Sequence, residues 1–246
     1  MILTKLQCPL LVLLWSVALP ARADLAADIA DLSARIDYGF YAEEQYVIDA
    51  ARSALERLAE QDASVRYYRA LAAFRLAQLP SRDGDDIGEL LDDCAQLAVP
   101  TEDDEAAAAE AWILVAACAS LGVHKGFSQQ RRRDQALAHA REIDATHPRI
   151  ALVEAWSLSA RPALEPAPLR EQVAERLNVA AEGFRAWNGP YGSPQWGEAE
   201  VLAQLGEIYL QRGESRAARD LIERALLIAP DYRFALSLRG RVQSSP

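Results

Sequence analysis

The stretch Trp196 to Asp231, WGEAEVLAQLGEIYLQRGESRAARDLIERALLIAPD, decides how this chain reads. It divides into two helical runs. The first carries Leu202, Leu205, Gly206 and Tyr209 and is broken by Gly213; the second carries Ala218, Ile222, Ala225 and Leu226 and is stopped by Pro230. Apolar residues three and four apart line one face of a helix. Small residues at Gly206, Ala218 and Ala225 mark where two helices of a hairpin touch closely, with Tyr209 expected inside.

The order Leu-Gly, Tyr, Gly, Ala, Ala, Pro, at these spacings, resembles the tetratricopeptide repeat, a helical hairpin of about 34 residues. The resemblance implies an all-α solenoid built for binding, in which the first helix of each pair lines a concave face. On that frame Glu200, Ala203, Glu207 and Leu210 face the groove. Two glutamates there imply an acidic groove suited to a basic or apolar peptide.

Working outward, the rest of the chain keeps the helical period, with Ala, Leu, Glu and Arg dominant and no polar–apolar alternation. Leu25, Ile29, Leu32 and Ile36 form one face of a first helix that Gly39 is expected to interrupt. A second helix, 42–60, aligns Tyr46, Ala50, Ala54 and Leu58. In the third and fourth, over 63–79 and 85–98, Leu71-Ala72, Gly88, Ala95 and Pro100 copy the repeat with a lengthened turn. Thr101 reads as the N-cap of a fifth helix ending at Gly122, with Trp112 and Val115 on its packing side. A sixth, 129–145, repeats the spacing through Ala136, Ile143 and Pro148; Ile143 is bulky enough to hold its helices apart. Helices over 150–160 and 169–187 follow, then a Gly/Pro loop from Asn188 to Trp196, with Ser193-Pro194 expected to open the next helix. Asp231 is expected to cap a last helix that covers the exposed end of the stack. The count is about eleven helices: five irregular tetratricopeptide-like hairpins and a C-terminal capping helix.

The N-terminus has the pattern of a secretory signal peptide: Lys5, an apolar run from Leu6 to Leu19, and Ala21-Arg22-Ala23 as a small-x-small cleavage site. The run is shorter than the roughly 20 residues a membrane span needs. Residues 1–23 are therefore read as signal and 24–246 as a single periplasmic all-helical domain with no integral membrane segment. The whole chain has formal charge −10; without Lys5 and Arg22 it is two charges more negative. Such an acidic surface argues against nucleic acid, whose affinity needs clustered positive charge.

No catalytic, cofactor or metal signature is present. His124, His139 and His147 lack ligand spacing, so no enzyme, cofactor or metal is expected. The acidic residues from Asp83 to Asp93 lack an EF-hand register and read as helix-start carboxylates. Arg131-Arg132-Arg133 reads as a solvated helix face. Cys94 and Cys118 read as two small buried hydrophobes. On consecutive antiparallel helices turning near Val99 to Glu102 they fall about 15 Å out of step at ~1.5 Å per residue, beyond the roughly 7 Å a disulfide allows. The aromatic cluster Trp187, Tyr191 and Trp196 around the Gly/Pro loop is either a staple for that loop or a partner-binding platform.

The function expected is a non-enzymatic exported scaffold that binds a protein or peptide through its concave face. The alternative is a periplasmic accessory subunit of a solute transporter. An exported array of degenerate repeats looks loosely like the T component of TRAP-type systems, which partners a substrate-binding protein, and an apolar ligand in the helix stack would favour it.

Overall fold

The computed structural model describes residues 18–58, 62–80, 84–100, 108–121, 126–159, 166–189 and 194–244. Among them eleven α-helices and no strand occur. They are α1 (Ala18–Tyr41), α2 (Gln45–Leu55), α3 (Ala63–Gln78), α4 (Gly84–Leu97), α5 (Ala108–Leu121), α6 (Phe127–Ile143), α7 (Pro148–Ser159), α8 (Pro166–Ala186), α9 (Glu198–Gln211), α10 (Ser215–Ile228) and α11 (Arg233–Ser244). Consecutive helices pair as α1/α2, α3/α4, α5/α6, α7/α8 and α9/α10, and α11 packs on α10 and α9. The chain is a solenoid of five hairpins with a capping helix.

The two helices of a pair differ in kind. In α2, burial is confined to Ile48, Ala51 and Leu55, and in α10 to Ala218, Ile222 and Ala225. Each is a single stripe, with charges on the opposite side. Three of the first helices are buried nearly all round over long stretches: α3 from Ala70 to Ala77, α5 from Ile113 to Ser120, and α7 from Pro148 to Val153. Their alanine-rich sequences make this possible, because small side chains let neighbours close in on several faces. Each fully buried Leu, Ile or Phe among them contributes about 1.5–3 kcal/mol. One hydrophobic cluster runs from Leu32 on α1 to Ile208 on α9. A second joins Tyr41 to α9, α10 and α11.

Hairpin turns explain where local reading succeeded and failed. At the end of α9, the Gly213 N–H donates to the Leu210 carbonyl and the Glu214 N–H to the Tyr209 carbonyl, with Gly213 at φ 80°. This is a Schellman ending, which needs a left-handed residue. The same two bonds recur after α1, from Glu43 to Phe40 and from Glu44 to Gly39, but the left-handed residue is Glu43, at φ 56°. Gly39 therefore does not break the helix. A Cβ there would lie 2.6 Å from Ile48 Cγ1, so the glycine instead lets α2 approach. The later ending shortens α2, and its buried stripe falls on Ile48, Ala51 and Leu55, leaving Tyr46 70% exposed.

Other boundaries move for similar reasons. Pro194 does not start α9: Pro194, Gln195 and Trp196 are non-helical, and Gly197 precedes the first turn. Helix α11 begins at Arg233, two residues after Asp231. Ile143 is half exposed, and Ala140 takes the packing position beside Ala136. Thr101, Asp83, His124 and Ser193 lie outside the described residues.

Cys94 and Cys118 are bonded as a disulfide, with Cα atoms 6.3 Å apart, which corrects the sequence reading. That reading assumed a tight turn. Ten residues separate the end of α4 at Leu97 from the start of α5 at Ala108, a segment that can reach roughly 33 Å when extended. The C-terminal part of α5 can therefore lie beside the C-terminal part of α4.

Candidate functional site

The residues expected to line the groove separate into two groups. Glu200 is 1% exposed, and Ala203 and Trp196 are fully buried. Glu207, Leu210 and Trp187 are partly exposed, and Tyr191 lies outside the described residues. The first group has no solvent-lined face, so the acidic groove at Glu200 is replaced by a polar centre inside the stack.

That centre is built around two arginines. Arg75 is fully buried on α3, where it stands as the single charge in the run ALAAFRLAQ. Its Nη2 donates to Glu200 Oε1 at 2.5 Å and its Nη1 to Gln78 Oε1 at 2.9 Å. The guanidinium lies 3.8 Å from the Phe40 ring centre, close enough for a cation–π contact. Glu200 Oε2 accepts from the Tyr41 hydroxyl at 2.7 Å and from the Gly197 N–H at 3.0 Å. Burial by itself would raise the Glu200 carboxyl, but the Arg75 charge and the Tyr41 hydroxyl hold it below the usual carboxylate range. Desolvation, with the Glu200 charge adding to it, holds the Tyr41 phenol well above its ordinary value.

Arg149, at the start of α7, is the second. Its Nε donates to the Trp196 carbonyl at 2.7 Å, its Nη2 to the Pro194 carbonyl at 2.5 Å and its Nη1 to Glu110 Oε1 at 2.5 Å. The same carboxylate oxygen is 3.1 Å from His147 Nε2. Rings of Trp187 and Trp196 lie 4.8 and 4.9 Å from the Arg149 guanidinium. Between the two arginines sits the Trp196 side chain, whose indole N–H donates to the Tyr67 hydroxyl at 2.8 Å. It stacks on Trp156, 6.1 Å between ring centres, and borders Phe74 at 6.2 Å.

A non-helical piece of chain, Pro194 to Gly197, thus runs into α9 with Trp196 and Gly197 buried and Gln195 exposed. Trp196 is a staple, held by its ring, its N–H and its carbonyl together. The arrangement ties α1, α3, α5 and α7 to α9 across 159 residues of sequence in the Tyr41–Glu200 bond. Within it Arg75 pairs with Glu200 and Arg149 with Glu110.

The remaining candidates are distributed over the surface. Glu207 pairs with Arg241 at 3.4 Å and lines a groove of about 270 Å³ with Leu169, Val173, Leu177, Gln204 and Ile208. The run Arg131 to Arg133 is only partly solvated: Arg132 donates to the Ala95 carbonyl at 2.9 Å, and Arg133 is buried against Asp134. His139 lies beside Glu142 and the Trp112 ring. Among the described residues no group of His, Cys, Asp and Glu is placed to hold a metal ion, and no helix is long and apolar enough to cross a membrane. Sequence reading missed Arg75, Arg149, Tyr41 and Glu110; the one signal was a lone arginine in each of two otherwise apolar helical runs.

No protein-family model matches this chain, and no curated protein matches it. Among solved structures it is similar to TTC0263, a thermophilic TPR protein of Thermus thermophilus. Identity is 15%, coverage is 92% of this chain and 98% of that one, and the TM-score is 0.50. The fold is a TPR-like α-solenoid. The assembly chaperone of RpL4, Acl4, also aligns, at 15% identity over 92% of this chain and 94% of that chain, with TM-score 0.45. Among the described residues the TPR-like solenoid departs from an open array where Tyr41 of α1 and Arg75 of α3 meet Glu200 of α9.

Proposed function

We propose that this protein is a non-enzymatic scaffold or adaptor, exported to the periplasm, that holds a protein or peptide partner. The observation that supports this reading most is the fold: stacked hairpins whose described surface carries grooves between helices. Because Trp196, Glu200 and Ala203 are buried, the partner surface is placed at the part of the predicted face that stays open, the groove between α8 and α9 at Glu207. Its lining sets Leu169, Val173, Leu177 and Ile208 beside Glu207 and Arg170, with Glu207 also paired to Arg241, and suits a largely apolar segment. Export is supported by the signal-like residues Lys5 to Ala23 alone. The transporter-subunit alternative rests on the family resemblance alone.

Site-specific photo-crosslinking from Gln204, which lines the same groove, with Glu223 on α10 as control, tests the placement. A partner adduct from Gln204 that is lost when Glu207→Lys is added is expected. Adducts of equal yield from both positions, or a Gln204 adduct that survives charge reversal at Glu207, refute it. A mature N-terminus at Asp24 by mass spectrometry is the expected result for export.

A further inference from the structure

Asp37 lies on α1, one turn before Tyr41, at the seam where the first hairpin meets α9. It is half-buried, and its Oδ1 is shielded from solvent with no hydrogen-bond partner. The charged and titratable groups whose fields reach it are Arg75 and Tyr68 from α3, Glu200 from α9, Arg149 from α7 and Tyr41 from its own helix. Both cations are already engaged, Arg75 by Glu200 and Arg149 by Glu110, each at 2.5 Å. Two carboxylates thus share one guanidinium that only one of them touches. An ionised Asp37 is a surplus negative charge inside the seam, and a protonated one is not.

We propose that Asp37 makes the seam between the first hairpin and α9 a pH-sensitive latch, held tightly when the carboxyl is protonated and loosened when it ionises. Desolvation pushes Asp37 up from 3.8 to about 6; Arg75 opposes the rise and Glu200 adds to it. The folded value lies above the unfolded one, so between 3.8 and about 6 the closed seam keeps a proton that an opened one gives up. Closure therefore weakens as pH rises through that window and is level on either side of it. Between 3.8 and about 6 the closing equilibrium changes about 100-fold.

Hydrogen exchange, corrected for the intrinsic pH dependence of the amides, reads this directly. From about pH 4 to about pH 7, protection at the Schellman amides of Glu43 and Glu44 and in the first turns of α9 should fall about 100-fold. Asp37→Asn should leave it level, while amides of α6 change little in either protein. Equal loss of protection in α6, or the same pH dependence in Asp37→Asn, overturns the latch. The Asp37 carboxyl carbon, followed by NMR in the wild-type chain, needs no variant to fold. A midpoint near 6 supports the proposal, and one near the ordinary Asp value of about 4 refutes it.

Discussion

Replacing Arg75 by methionine probes the polar centre most sharply. Methionine keeps much of the volume and removes the charge, so the cost measures what Glu200 loses. Glu200 is left with the Tyr41 hydroxyl and the Gly197 N–H but no counter-ion, in a place that is 1% exposed. Breaking a buried pair from one side costs about 3–5 kcal/mol. The lost contact with the Phe40 ring at 3.8 Å adds on the order of 1 kcal/mol. Against a usual stability of about 5–15 kcal/mol, the single variant should show a large drop in urea midpoint with an unchanged slope. Arg75→Met combined with Glu200→Gln removes both charges while the Gln carbonyl still accepts from Tyr41 and Gly197. It should recover most of the loss, to within about 1.5 kcal/mol of wild type. A single variant costing under about 1 kcal/mol, or a double variant costing the sum of its parts, would show that the charges are solvated and that the reasoning is wrong.

Two further outcomes follow from the geometry. Reducing Cys94–Cys118, which closes a loop of sequence separation 24, should destabilise the chain by about 3.5 kcal/mol on the chain-entropy model. Thermal melting with and without reductant measures this, with Cys94→Ala/Cys118→Ala insensitive to reductant. Glu43→Gly relieves a left-handed residue at φ 56° and should raise stability by about 0.5–1 kcal/mol in denaturant titration; a loss would show that the Glu43 side chain holds the turn.

Much of the fold was legible because helical hairpins announce themselves locally. Gly213, Ala218, Ala225 and Pro230 each do one short-range job, and the structure uses the first three as read: Gly213 is left-handed and the two alanines are buried. Gly206 has Ile222 Cγ1 at 2.8 Å from a would-be Cβ, the close approach that its place in the pattern implies. The first hairpin was misjudged because Glu43 occupies a position where glycine is the usual signal. The cysteines were misjudged because a tight turn was assumed where ten residues separate α4 from α5.

The site was far less legible. Glu200 and Glu207 are seven apart on one helix, and periodicity puts them on the same face. Yet one is buried and the other pairs at the surface with Arg241. What separates them is how much of the array lies over each end of α9: α1, α3 and the chain from Pro194 to Gly197 cover its first turns.

Sequence by itself determined that the elements of this chain are helices, that they come in pairs, and where most of them turn. Those properties depend on residues within about one or two turns of each other, through periodicity and caps. Only the tertiary structure decided that the first hairpin closes on α9, that Arg75 finds Glu200 125 residues away, and that Trp196 fills the interior. A charge buried among apolar residues must have a partner, but which partner is a matter of how the helices pack. The stretch from Trp196 to Asp231 declares a repeat; that its first residue lies at the centre of the molecule depends on every hairpin before it.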